Sequence, residues 1–428
     1  MPNNETKLKV LACAFTCCPS GQPGFTGGED ILGWNLLKQI SRFHEVYALT
    51  HSDDRQSIER ALKEQPIPNL HFRYVDLPRW LHPLLKLQGS HQLYAYLWQL
   101  RAYFTARKLH RELRFDLFHH ITYANDWMTS FIGAWLPVPY VRGPGGGAHR
   151  TPKGFETEYS FKGRIWEKFR SPGQWLFRHD PFFTRGQVRA KALLVCNKEA
   201  QLGISRRLAK KVYLFPVSGV SSEDLAIQPE SNGRKKHFRV LSAGALIRVK
   251  GFGIAIKAFK LFVDKHPDAT FSIIGSGPEG PRLKALVQDA QIEQKVEFLQ
   301  WVPRDTLLKE MRGYDVFLFP SLRDGGGTVV IEAMSAAKPV VCLDVGGPGT
   351  HISDDCGIKV VPDTPQHAIE QLADALERLY LDEELRLRLG RGAREKAEKV
   401  YLWERLGERL MNIYRDALNP AINDQSHS

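Results

Sequence analysis

The chain has no run of about 18 apolar residues, the length a helix needs to cross a bilayer, so no transmembrane span is expected in its 428 residues. Its first residues, MPNNETKLKV, are polar and lead straight into VLACAF. They lack the basic start, apolar centre and small-residue end of a secretory signal, so none is expected. Cysteine is scarce. Cys13, Cys17, Cys18, Cys196, Cys342 and Cys356 show no framework spacing, and Cys196 and Cys342 sit in apolar, strand-like runs. Free thiols in a reducing cytoplasm are the expected state. No Cys/His spacing suggests zinc, and no metal is expected. These absences argue against a disulfide scaffold, a zinc module and an integral membrane protein. They leave a cytoplasmic protein, soluble or peripheral on the inner face of a membrane.

What is present suits two domains of about 200 residues each. Apolar residues make up 43% of the chain, enough for sizeable cores. The net charge of +12 is uneven: residues 1–230 hold 31 Lys+Arg against 20 Asp+Glu, and residues 231–428 hold 28 against 27. The first half therefore faces something anionic, for which nucleic acid, an acidic membrane face and a phosphorylated substrate all qualify, or it carries a merely solvated basic face. Residues 142–191 concentrate this feature, with 11 basic and 4 acidic residues interleaved with nine aromatics from Phe155 to Phe183.

Strand-like apolar runs fall at 8–15, 45–49, 71–75, 116–121, 138–142, 192–196 and 212–215, and again at 238–243, 270–274, 296–299, 316–319, 340–343 and 356–361. Helical patterns lie between them, which implies parallel, doubly wound sheets. The polar stretch 218–236 reads as a linker. A strongly striped helix is expected at 401–418. The fold class is α/β: a Rossmann-like domain over 1–220, a linker at 221–236, a second such domain over 237–400, and a closing helix at 401–418 that returns to the first. The strand ends of the two domains are expected to face a central cleft.

Ligands of such sheets bind at strand C-terminal ends, where helix N-termini point. Four loops occupy that place. Gly27-Gly28 can bring amides close to a phosphate. Gly244–Gly251 offers Arg248 and Lys250 to a diphosphate, by fork and by point charge. Gly275-Ser276-Gly277-Pro278-Glu279-Gly280 fits the dinucleotide fingerprint, but it opens the second strand–helix unit of its domain and no acid ends the next strand. It reads as a tight turn, not as evidence for NAD. Asp324-Gly325-Gly326-Gly327-Thr328 leads into a helix that Thr328 can cap and that carries Glu332. A loop acid can accept from sugar hydroxyls, and a helix acid can accept from a ribose diol.

The order of these motifs resembles the donor domain of retaining glycosyltransferases of the GT-B fold, of the glycosyltransferase family 4 type (glycosyl transferases group 1). The matching pieces are the loop Gly244–Gly251, GSGPE, FLQWVP, PSLRDGGGTVVIEAMSAAKPVV and DVGGPG, with Asp324 and Glu332 at the spacing of that family's paired acids. The first half matches more loosely, through GGEDILGWNL, DLFHHIT and VRGPGGG. Two positions depart from the family: the first acid is Asp324 where Glu is usual, and Ala245 stands where Arg often follows the first glycine, with Arg248 on the same loop.

The resemblance implies the following. Lys250 and Arg248 stabilise a departing diphosphate, Asp324 contacts the transferred sugar, and Glu332 binds the ribose. The donor is further lined by Gly27, Gly28, Gly244, Gly275, Gly277, Trp301, Val302, Gly326, Gly327 and Thr328. The acceptor or sugar side draws on His120, Arg142, Gly145, Gly146 and His149, and the first domain takes the acceptor. The reaction implied is metal-independent, cofactor-free hexosyl transfer from a nucleotide-sugar to an acceptor hydroxyl, in polysaccharide, lipid-linked glycan or glycolipid biosynthesis. From their charge and aromatic content, regions 80–86 and 142–191 are expected to lie at an anionic membrane face or to hold a lipid-linked acceptor. Two rival readings are a glycoside hydrolase using Asp324 and Glu332, and a basic nucleic-acid-binding protein, for which no recognition element is present.

Overall fold

A computed structural model describes residues 7–19, 27–82, 91–147, 150–159, 163, 174–202, 204–226 and 237–419. The expected linker therefore lies largely outside the described residues, as does His149. The chain divides into two compact units: Met1–Ala148, Ser171–Val217 and Trp403–Ser428 form the first, and His149–Arg170 with Ser218–Leu402 the second.

The first unit is built on β1 (Lys9–Cys13), β2 (Glu45–Thr50), β3 (Leu70–Tyr74), β4 (Leu117–His120), β5 (Tyr140–Gly145), β6 (Ala192–Val195) and β7 (Val212–Leu214). They form one parallel sheet in the order β3-β2-β1-β4-β5-β6-β7. Alternation along each strand feeds two apolar layers. Val10 and Ala12 of β1 enter one layer, and Leu11 and Cys13 enter the other. The second unit has β8 (Arg239–Ala243), β9 (Thr270–Ile274), β10 (Val296–Leu299), β11 (Val316–Phe319), β12 (Val340–Leu343) and β13 (Gly357–Val360). Their order, β10-β9-β8-β11-β12-β13, is again wholly parallel. In each sheet the chain walks outward from the first strand and then restarts on its other side, so a switch point lies beside β1 and beside β8. No disulfide joins any two of the six cysteines, all of which are buried.

Three features differ from the sequence expectation. Residues 150–159 and 163 belong with the second unit, although they fall within 1–220. Phe155 and Tyr159, four residues apart, are buried in the second unit's core, and Glu158 meets Lys257 Nζ at 2.8 Å. Strand β5 runs on through Gly145 instead of ending at 142, because Cys196 N–H reaches the Gly145 carbonyl at 2.9 Å. The last helix begins at Trp403. A wide turn at Ala397–Tyr401 and an extended Leu402 break the run, and Val220 N–H donates to the Tyr401 carbonyl at 2.8 Å.

The helix Trp403–Leu418 belongs to the first unit, as its stripe implies. Leu406, Leu410, Ile413, Tyr414 and Ala417 are buried beside the helix Gly28–Ser41. Tyr414 also secures a buried imidazole: its hydroxyl donates to His119 Nδ1 at 2.7 Å, while His119 Nε2–H donates to the Gly143 carbonyl at 2.6 Å. Burial pushes His119 down to about 4, so the ring is neutral at pH 7. Tyr414→Phe is expected to cost ~1–3 kcal/mol by orphaning Nδ1. A lower urea midpoint at unchanged slope would report it.

Candidate functional site

The loops after β8 and β11 flank the switch point of the second sheet, and they are laced together. Leu322 N–H and Ser321 Oγ both donate to the Val249 carbonyl, at 2.9 and 3.1 Å. Gly251, at φ 72°, comes so close to the β11 loop that a Cβ there would lie 1.9 Å from the Pro320 carbonyl oxygen. Only glycine permits this approach. It sets Lys250 over the second loop, with its ammonium 5.5 Å from the Phe319 ring centre and ion-paired to Asp324 Oδ2.

Asp324 is the hub. Its Oδ1 accepts from Gly326 N–H at 3.1 Å and Gly327 N–H at 2.9 Å, and its carbonyl accepts from Gly347 N–H at 2.7 Å. Burial alone would raise its pKa, but Lys250 and the two amides outweigh that and hold the carboxyl at about 2. The helix Thr328–Ser335 is capped by Gly327 in the left-handed region, not by Thr328, since the Asp324 carboxylate already occupies the neighbouring amides. A carboxylate thus sits where a phosphate would find helix-terminal N–H groups.

Glu332, one turn into that helix, is buried and accepts from Arg304 Nε at 2.7 Å. Arg304 in turn forks onto Asp224, at 2.9 and 2.8 Å. Burial raises the Glu332 pKa. Asp224, also desolvated, is carried below its usual value by the Arg304 fork and by Ser221. His351 braces the glycine loop from behind. Its Nε2 bonds the Gly326 carbonyl at 2.8 Å and its Nδ1 the Tyr401 hydroxyl at 3.0 Å, and burial pushes it down to about 4.

The remaining donor-side residues take two kinds of place. Gly275 and Gly277 back the Gly244–Gly251 loop: a Cβ on Gly275 would meet the Gly244 oxygen at 2.0 Å, and Leu246 N–H donates to the Ser276 carbonyl at 2.8 Å. Arg248 opens a short 3-10 turn, and its Nε is buried with no hydrogen-bond partner among the described residues. Trp301 stands 64% exposed after β10, with Val302 half-buried beside it.

In the first unit Gly27, at φ 124°, and Gly28 open the helix Gly28–Ser41 after β1. His120 is buried at the end of β4 and accepts from Gln99 Nε2 at 3.0 Å. Burial and the nearby Arg142 charge push it down to about 3. Arg142 is buried, bonds the Asn125 carbonyl, and lies 5.3 Å over the Phe183 ring. Gly145 and Gly146 are pressed against the Ala124 carbonyl and the Cys196 sulfur. These four residues are thus embedded in the first unit's own packing.

Sequence reading missed Asp224, Arg304 and His351. Asp224 lay in the assumed linker, and Arg304 follows Pro303 as an ordinary helix-start residue. Their union spans 80 positions, which no local pattern shows.

Residues 224–396 match the family described as glycosyl transferases group 1. Over 200 residues the chain is 30% identical to a D-inositol 3-phosphate glycosyltransferase of Corynebacterium glutamicum, covering 45% of this chain and 47% of that protein. The chain thus spans about half the length of that curated relative. Among solved structures it is similar to sucrose-phosphate synthase from Thermosynechococcus elongatus, with TM-score 0.65 and 17% identity over 97% of this chain and 100% of that one. It is also similar to Anabaena HepE in complex with UDP, with TM-score 0.60 and 17% identity over 96% and 100%. The fold is of the GT-B type, and residues 224–396, within the second unit, match the glycosyl transferases group 1 family.

Proposed function

We propose that the chain transfers a sugar, of the hexose class, from a nucleoside-diphosphate sugar to an acceptor hydroxyl, with retention at the anomeric carbon. The observation that carries this is the convergence of Lys250, Asp324 and the Gly326–Gly327 amides at the N-terminus of the helix bearing Glu332. A departing diphosphate gathers negative charge. The Lys250 ammonium and the positive end of that helix lower its energy without a metal, and a preorganised group of this kind is worth about 10²–10³ in rate. Asp324 is the acceptor for sugar hydroxyls, and Glu332, held by Arg304, is the acceptor for the ribose. The group 1 family match and the UDP bound to the similar Anabaena protein support this reading.

The hydrolase alternative needs a carboxylic acid as proton donor. Asp324, at about 2, is ionised at neutral pH, and Glu332 is engaged by Arg304. Neither is placed for that task.

A thermal-shift series with UDP, GDP and ADP tests the donor site. The matching nucleotide at about 100 times its Kd should add about 2.7 kcal/mol and raise Tm by ~5–10 °C. If none of the three moves Tm, the donor reading is wrong.

A further inference from the structure

We propose that residues 150–159 and Gly163 form a strap that positions the Gly244–Gly251 loop, and that Gly163 is the positioning residue that aims Arg248. In chain order the strap lies between β5 and β6 of the first sheet, yet it belongs to the second unit. Two ties fasten it there. Phe155 and Tyr159 are buried in the same apolar cluster as Leu246 and Val249, which stand on either side of Arg248 in the loop. Glu158 accepts from Lys257 Nζ through both carboxylate oxygens, at 3.0 and 2.8 Å, and Lys257 lies on the helix Phe252–Val263 into which the loop runs. The Thr151 and Tyr159 hydroxyls, 2.7 Å apart, close the strap on itself.

Gly163 is buried against the arginine. A Cβ there would lie 2.8 Å from Arg248 Cδ, 3.3 Å from its Nε and 3.3 Å from Tyr159 Cβ. The Gly163 backbone is outside the left-handed region, so its conformation does not demand glycine. The neighbouring side chain does. An alanine would meet the flexible shaft of Arg248 and not a rigid backbone, so the arginine gives way and the fold is kept.

The grip falls on the middle of the arginine. Nε is enclosed and makes no hydrogen bond among the described residues. The residue as a whole is half-buried, and no hydrogen bond or ion pair engages its Nη atoms among the described residues. The strap thus holds the shaft and leaves the fork free, two residues from the Lys250 ammonium. A free guanidinium fork beside an ammonium has the chemistry of a diphosphate clamp. Its aim depends on packing around it, as does that of any preorganised binding group. The identity of the anion rests on the sugar-transfer reading, whereas the packing of Gly163 on Arg248 does not.

The test is titration calorimetry of the full chain with UDP, GDP and ADP, on the parent, Gly163→Ala, Arg248→Ala and the double variant. Arg248→Ala should weaken the nucleotide that binds the parent by about 10- to 100-fold, the worth of charge-assisted hydrogen bonds. Gly163→Ala should weaken it by about 3- to 10-fold, as the arginine is pushed off its rotamer. In the Arg248→Ala background the same change should shift affinity by less than about twofold, because it acts only through the missing side chain. Glu158→Gln, which cuts the tie to Lys257, should follow the same pattern, and it serves in place of a Gly163→Ala chain that fails to fold. Equal weakening with and without Arg248 would show a general structural role and overturn the inference. Parental affinity in Arg248→Ala, or in both strap variants, would overturn it too. A parent that binds none of the three nucleotides removes the sugar-transfer reading itself, and this inference with it.

Discussion

Lys250→Ala is expected to lower turnover by ~10²–10³ with much less change in donor affinity, because the ammonium acts most on the charge that forms as the diphosphate leaves. The geometry adds a second consequence. Lys250 is the counter-ion of Asp324, which burial pushes up and Lys250 and two amides pull down to about 2. Asp324's folded pKa lies below its unfolded value of 3.8, so its contribution to stability is present above about pH 4 and fades as pH falls toward 2. Without Lys250 the carboxyl keeps only the Gly326 and Gly327 amides, and that contribution shrinks. The variant should therefore melt earlier at pH 7, with a smaller gap from the parent at pH 3. Single-turnover rates separate the catalytic loss from the stability loss. A folded Lys250→Ala variant that turns over within threefold of the parent would remove the central claim about the site.

Arg304→Met should produce the largest loss of stability. The guanidinium bonds Asp224 twice and Glu332 once, and the three side chains are 20, 9 and 7% exposed. Removing the cation leaves two buried carboxylates facing each other, at a cost of ~3–5 kcal/mol. For a unit of this size that is a Tm fall of roughly 6–20 °C. The sign of the pH effect discriminates. In the variant both acids have raised folded pKa values, so ionising them destabilises the fold, and the penalty is relieved as pH falls below about 5. A Tm deficit that shrinks at acid pH supports the charge account, and one that stays constant would point to lost packing. Adding Asp224→Asn should restore part of the stability, since the two effects share one partner. Donor affinity should fall with Glu332 left unpositioned, while the rate for bound donor falls less.

The strands β9, β10, β11 and β12 lie at the residues that their short apolar runs mark, and Gly275, Pro320 and Asp344 close β9, β11 and β12. Local alternation was enough there, because a buried parallel strand is apolar on both faces. Lys250, Asp324 and Glu332 were legible for a related reason: strand ends locate the loops, and the loops locate the residues. What escaped was non-local. Phe155 and Tyr159 carry no mark of the unit that buries them. Asp224 gave no sign of meeting Arg304, nor Gly326 of meeting His351. The helix cap was misread because Thr328 is a good capping residue in isolation, and only the folded loop shows that the Asp324 carboxylate reaches the amides first.

By itself the sequence determined the alternation of strands and helices, the two parallel sheets and the loops at their strand ends, because each rests on periodicities of two and about 3.6 residues. The tertiary structure decided which charges share a space. It set Lys250 on Asp324 and Arg304 between Asp224 and Glu332, because such pairings depend on approaches across many tens of residues that only packing brings about.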